Sequence, residues 1–464
     1  MRLKTLALYT GLSAGILMSS CNSFLDEMPK GVVIPSKLQD YQALMSNPIK
    51  VTRTSNNIFF ATDEIQLPEA MRSTAIGYSG RSAVNAYDFQ KEHYDISEND
   101  EDWNYAYSAL YIFNTVIEGI KVNTEDNPSL SNQLMGEALV HRAYTNLILV
   151  NQYAEHYGSS SSPELGIPLP LKPDIDALLK RSSIQEVYQQ IESDLLAAID
   201  LLPEKSSYTY RPNKAAAYGT LSRMYLYQSQ WNKSAEYASK ALALNNFLYD
   251  YNDFKHSIPN NHAASQVTGY PSSSIDMRHV IFLKYFIKVR AFNYNFVLSD
   301  DLAAQFEPGD LRMVFGTTDK DYYGKALPGL GVLENKPVYD YNNGGISTQE
   351  LLLNRAEANA RLKNSAAAME DLNVLREKRF AKDQFVALSA NSPTDALDKV
   401  LKERRIELAF TGLRLADIKR FNLEGRNITF KHGTVEIKAN DPRLVFPIAP
   451  KVISLNNNLV QNPR

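Results

Sequence analysis

A single cysteine, Cys21, is all that 464 residues provide, which excludes an internal disulfide and any cysteine-built zinc site. Charge of one sign is lacking too. The 49 basic and 52 acidic residues leave a net charge of −3, so no general attraction to nucleic acid is expected. Tryptophan is scarce, with 2 against 27 tyrosines. None of the seven histidines stands in an H-E-x-x-H, and there is no G-x-S-x-G or Walker loop. The acidic run Glu98-Asn99-Asp100-Glu101-Asp102 lacks the sixth-position glycine and distal glutamate of an EF-hand. No metal or cofactor is therefore expected. A pair of carboxylates distant in sequence could still hide among the acidic residues. A binding protein, a tethered hydrolase and a protein-interaction scaffold all remain open at this point.

The position of the one cysteine is informative. Arg2 and Lys4 make a short positive start, residues 5–18 are uncharged and mostly apolar, and Ser19 and Ser20 are small. This is the layout of a secretory signal, too short for a good membrane span, and no second apolar run is long enough for one. A signal ending on cysteine is the bacterial lipoprotein pattern, although Met18 stands where leucine is usual. Residues 1–20 are thus expected to be a signal peptide and Cys21 the lipid attachment site. Several acyl chains on one thiol give stable anchoring, because each buried CH₂ contributes about 0.8 kcal/mol.

Beyond the anchor, helical periodicity dominates. Ser36 is placed to cap a short helix over 37–46. Trp103, Ala106, Leu110, Phe113 and Ile117 share one face of a long helix, with the acidic run at its start. Leu139, Ala143, Leu147 and Val150 mark the next, predicted to end near Tyr157-Gly158. Ile184 to Leu202 form a clean stripe stopped by Pro203. Two helices fill 213–245, broken near Gln230, and helices return at 349–380 and 394–422. Residues 47–98 and 246–348 lack sustained period and read as loop with short pieces. Val280 to Tyr285 looks like strand, and His432-Gly433 like a hairpin turn.

Two helix pairs repeat a spacing. Ser222 and Ser234 are followed by Ala238 and Ala241, and Ala356 and Ala368 by Leu372 and Leu375. Small residues at these offsets let antiparallel helices approach closely, as in a tetratricopeptide unit. The expectation is a mainly α, single-domain chain over 21–464. Its scaffold helices cover about 100–245 and 349–422, with a loop-rich insertion and a few short strands.

Residues 403–421, ERRIELAFTGLRLADIKRF, resemble the signature helix-turn-helix of the SusD/RagB family of nutrient-binding lipoproteins. Glu403, Arg404, Arg405, Glu407, Leu408, Gly412, Arg414, Asp417 and Arg420 fall on that pattern. Thr411, Leu413 and Phe421 depart from its usual Glu, His and Trp. RAYTNLILVNQY (142–153), the 211–241 helix pair, LLLNRAEANARL (351–362) and the closing FPIAP…NNNLVQNP agree as well. Arg405, Glu407, Arg414 and Asp417 are expected to form ion pairs between the two helices, and Gly412 to suit a left-handed helix end.

The resemblance implies an outer-membrane protein facing the cell surface, which caps a SusC-type TonB-dependent transporter and delivers an oligosaccharide or, as in RagB-like members, a peptide. Family ligand contacts lie in variable loops, so candidates are chosen by chemistry. Tyr78, Tyr87, Tyr294, Tyr322 and Tyr323 offer stacking faces, and Arg72 and Arg81 offer donors. Trp103 and Trp231 are expected to serve packing.

Replacing Cys21 with Ala should abolish acylation and move the protein out of the outer-membrane fraction. Fractionation with mass spectrometry checks this, and full membrane retention with acyl chains present would contradict it.

Overall fold

The computed structural model describes residues 35–271, 276–286, 296–333 and 343–464. Cys21 and Tyr294 lie outside them. Among the described residues, twelve α-helices have seven residues or more: α1 (Leu38–Met45), α2 (Arg72–Ser79), α3 (Arg81–Tyr87), α4 (Glu101–Val122), α5 (Pro128–Tyr153), α6 (Ile184–Ile199), α7 (Lys214–Tyr227), α8 (Trp231–Leu244), α9 (Thr348–Arg361), α10 (Ser365–Glu377), α11 (Pro393–Glu407) and α12 (Arg414–Leu423).

Local chemistry sets their ends. Asp100 accepts from the Trp103 N–H at the start of α4, and Ser183 with Glu186 forms a reciprocal capping box on α6. The Asn127 and Asn213 side chains accept from the Leu130 and Ala216 N–H groups at the starts of α5 and α7. The expected Ser36 cap is corrected. Lys37 is the first flanking residue of α1, and the Asp40 carboxylate reaches back to the Ser36 and Lys37 N–H groups, 3.0 Å each. Helix α5 stops at Tyr153, short of the expected Tyr157-Gly158.

The helices stack in sequence, α4 on α5, α5 on α6, α6 on α7, α7 on α8, and then α8 directly on α9. The long insertion between α8 and α9 therefore loops out, and the chain resumes the stack where it left. Ser222 Oγ donates to Ser234 O and Ser234 Oγ to Ser222 O, both at 3.0 Å, so the close α7–α8 approach is locked by reciprocal hydrogen bonds. Ala356, Ala368, Leu372 and Leu375 are all buried in the second pair.

The strands of the two loop-rich zones are short. Antiparallel pairing in the order β1 (Ile65–Gln66), β5 (Val297–Leu298), β7 (Ala326–Val332) and β6 (Thr317–Lys320) makes one sheet. Strands β2 (Lys255–His256) and β3 (Val267–Thr268) pair with each other, as do β4 (Val280–Phe282) and β8 (Ile346–Ser347). The expected hairpin is present as β9 (Phe430–His432) and β10 (Val435–Ile437), with Gly433 at φ 59° in the turn.

Near the end of the chain a buried charge network joins α9, α11 and α12. Arg404 donates to Asp417 at 2.9 Å and to Asn354 at 2.7 Å, Arg420 donates to Asp417 at 2.8 Å, and Arg420 also grips Glu357 with two nitrogens. A second network sets Arg312, from the insertion, against Asp310, Glu403 and Glu407, while Arg379 forks onto Glu407. The expected pairing is corrected here. Glu407, Arg414 and Arg405 turn away from the helix pair, and Arg414 and Arg405 share Asp63, which lies just before β1. Among the described residues, the ion pair that links α11 to α12 is Arg404–Asp417. Gly412 does take a left-handed φ of 78°, and a Cβ there would meet Ile58 and Phe286 side chains at 2.9 Å.

The closing segment is stitched to the N-terminal half. Asn462 donates to Tyr153 O and Phe446 O, Arg181 reaches Asn462 and Val460 O, and Arg464 reaches Gln90 O.

Arg404→Ala strips a partner from buried Asp417 and should cost about 3–5 kcal/mol. Arg405→Ala should cost about 1 kcal/mol or less, because Arg405 is partly solvated, its partner Asp301 is exposed, and Asp63 keeps Arg414. Urea unfolding of the two variants separates them, and equal losses would contradict this ranking.

Candidate ligand-binding surface

The two loop-rich zones meet through the four-stranded sheet. Strand β1 leads into α2 and α3, while β7 and β6 are joined by the turn that carries Tyr322 and Tyr323. They occupy opposite edges of that sheet.

The β6–β7 turn is built for display. Asp321 Oδ1 accepts from the N–H groups of Tyr323 and Lys325, both at 2.9 Å, and Gly324 closes the turn at φ 85°. Asn261 Nδ2 donates to Tyr322 O, and Lys320 Nζ donates to Asn260 O, so the 257–265 loop supports the turn from outside. The two tyrosine rings stand edge to face, centroids 5.5 Å apart at 85°. Tyr323 is 91% exposed. Rigid, solvated aromatic faces of this kind offer large contact area at little entropic cost.

At the other edge, α2 and α3 meet at Gly80, φ 84°. Both are at most two turns long, so no sustained period marked them in the sequence. Tyr78 is 74% exposed on α2, and Arg81 opens α3 on the surface. Arg72 is not a free donor. Its guanidinium forks onto Asp88 at 2.6 and 3.1 Å and its Nε meets Glu69, and the Asp88 hydrogen bond raises its pKa.

Tyr87 is withdrawn from the ligand set. Its ring is 3% exposed and lies flat on His432, centroids 3.9 Å apart at 7°. Its hydroxyl accepts from the Leu67 N–H at 2.9 Å, and burial raises its pKa. His432 faces the carbonyls of Tyr87 and Thr62 at 2.6 and 2.8 Å, and burial lowers its pKa against their pull. Tyr87 thus fastens α3 to the β9–β10 hairpin. Its neighbours in sequence carry no sign of this, because the partner lies more than three hundred residues away. Asp321 was legible in principle, since Asp followed three residues later by Gly is a turn signature.

Other expected roles are also structural. Trp103 is buried beside Tyr107 and Tyr153, and Trp231 is covered by Arg361 at 4.3 Å from its ring centre. The acidic run serves the fold. Asp100 accepts from Tyr153 and Trp103, and Asp102 from Asn56, Asn57 and Gln152. Among the described residues no group of three or more His, Cys, Asp and Glu is placed to hold a metal ion.

This combination defines a helical-repeat scaffold whose insertion displays aromatic loops. Residues 23–226 match the SusD-like family described as "Starch-binding associating with outer membrane", and residues 348–464 match the SusD family. The chain belongs to the SusD/RagB family. A SusD-like protein P2 of Formosa agariphila is 24% identical over 95% of this chain and 96% of its own length. A SusD superfamily protein of Bacteroides thetaiotaomicron superposes with a TM-score of 0.71 at 21% identity, covering 92% of this chain and all of that one. A putative sugar binding protein of Bacteroides vulgatus gives 0.71 at 21%, over 93% and 99% of the two chains. The shared fold is mainly helical with few short strands, as expected.

Tyr323→Ala should leave stability within about 0.5 kcal/mol of the parent, whereas Tyr87→Ala should cost about 3–5 kcal/mol. Thermal unfolding checks both, and a large loss from Tyr323→Ala would show that its ring packs rather than waits.

Proposed function

We propose that this protein is a cell-surface lipoprotein that binds an oligosaccharide and delivers it, as a lid, to a SusC-type TonB-dependent transporter. Family membership supports the role, and the braced Tyr322–Tyr323 pair is the observation that carries the binding surface. Tyrosine faces stack on sugar rings, and an exposed donor such as Arg81 serves hydroxyls. The protein acts by binding and handing over rather than by turnover. Tyr78, Arg81, Tyr322 and Tyr323 remain its proposed contacts, with Tyr294 named on sequence grounds alone.

A peptide ligand is the second reading. It is favoured by the burial of Trp103 and by the Arg361 guanidinium that covers a ring face of half-buried Trp231, so neither tryptophan is a free platform.

Calorimetry with oligosaccharide and then peptide mixtures, on protein with and without its transporter, tests both. Tyr78→Ala, Tyr322→Ala and Tyr323→Ala should each weaken oligosaccharide binding on the order of fivefold or more, with the scaffold still folded. Affinity should rise when the transporter encloses the ligand. Binding of peptides alone would promote the second reading, hydrolysis would overturn the binding role, and unchanged affinity in all three variants would remove these loops as the site.

A further inference from the structure

The tyrosine turn stands at the end of an arm that its own ladder holds poorly. Val297 of β5 pairs with Gly331, and Thr318 of β6 faces Gly331 from the other side, but the next pair is Lys320 with Ala326. Asp319 is therefore set against the whole stretch 327–330, which includes Pro328 and Gly329. A bulge of this size breaks the ladder, and proline has no N–H to mend it. Beyond the bulge come the Lys320–Ala326 pair and the turn held by Asp321. Those contacts shape the tip but do not aim it.

The 257–265 loop can aim it, because the loop is itself fixed. Ser257 N–H donates to Gln266 O at 2.9 Å, Gln266 N–H to Ser257 Oγ at 3.0 Å and Ile258 N–H to Ser265 Oγ at 3.1 Å. The His262 ring lies flat on His256, centroids 4.0 Å apart at 2°, and His256 lies in turn on buried Phe315 at 5.2 Å. A carbonyl only accepts, so His256 Nε2 donates to Val314 O at 2.9 Å. Val314 and Phe315 belong to the short helix Leu311–Gly316, whose Arg312 sits in the buried network with Glu403 and Glu407. Continuous contacts thus run from signature helix α11 out to the loop. At the outer end Asn261 Nδ2 donates to Tyr322 O at 3.3 Å, and Lys320 Nζ donates to Asn260 O at 3.1 Å. Both bonds meet the arm beyond the bulge.

We propose that the 257–265 loop is the positioning element of the ligand surface. Asn261 and Lys320 are its positioning residues, and they fix the Tyr322–Tyr323 pair against the scaffold before ligand arrives. This role rests on the reading of that pair as the binding face. Without the prop the arm must be ordered at each binding event, which lowers affinity while every ligand contact is kept.

Spin labels test it. The Cys21→Ala chain has no cysteine left, so Lys325→Cys on the turn and Glu377→Cys on α10 give one labelled pair at exposed positions. The label-to-label distance distribution should be narrow in this parent. Asn261→Asp keeps the acceptor for the Ala264 N–H and removes the donor to Tyr322, and Lys320→Met keeps the stem without the ammonium. Each should broaden the distribution well beyond the parent's at an unchanged melting temperature, and Lys320→Arg should keep it narrow. Unlabelled forms are titrated in calorimetry with maltohexaose, cellohexaose, xylohexaose and chitohexaose. A sugar that binds the parent should bind Asn261→Asp and Lys320→Met about fivefold more weakly. An unchanged distribution in both variants would overturn the proposal. Weaker binding without broadening would overturn it too, since Asn261 would then be a ligand contact, as would broadening without weaker binding. If no sugar binds the parent, the reading of the tyrosines as a sugar face fails, and the distance distributions still decide whether the loop fixes the arm.

Discussion

Buried guanidinium–carboxylate pairs are the constraint on which the rest of this structure depends. Asp417 takes both Arg404 and Arg420, and Glu357 takes Arg420 and Arg361. The Glu357 carboxyl is held well below the usual carboxylate range by Arg420 and Arg361 despite the opposing effect of burial. Apolar packing between helices tolerates several registers, but a forked guanidinium matches its carboxylate in one. Such pairs contribute little net stability over a well-packed apolar alternative. Their value here is selection of one arrangement of α9, α11 and α12, since any slip strands a charge.

The same device fixes the insertion. Arg312 belongs to the loop-rich region, yet it is fully buried against Asp310, Glu403 and Glu407. Asp63, at the root of β1, takes Arg414 from α12. Both zones proposed to meet ligand are thus rooted by ion pairs to the family's signature helices. The exposed tyrosines stand at the ends of segments whose bases cannot drift. That is the arrangement a binding surface needs if its aromatic rings are to be pre-positioned.

Helices and their pairing were legible because each runs long enough to repeat its apolar period, and because small residues at fixed offsets record the close approach of α7 to α8. The sheet was not legible, since β1 and β5 contribute two residues each from segments far apart in the chain. Partners of the signature arginines were hidden for the same reason. Asp63 sits in a stretch of asparagine, serine and threonine with no period, and nothing local ties it to Arg414. Tyr78 and Tyr87 show the limit most clearly. They look alike in sequence, on two adjoining short helices, yet one ring is solvated and the other lies against His432. Two turns of helix do not display which face is inward.

The closing residues have a consequence for how the molecule is made. Asn462 bonds to Tyr153 O at the end of α5, and Arg181 binds residues 460 and 462 as well as Leu165 O and Gly166 O. The link between α5 and α6 is therefore completed by residues that leave the ribosome some three hundred positions later. Helix pairs early in the chain can form as they emerge, because their contacts are local. The seam beside α5 must stay open until residues 460–462 arrive, so it is completed by a long-range closure rather than by the docking of a neighbouring helix. A chain that stopped before residue 460 would keep its stack and lose its clasp.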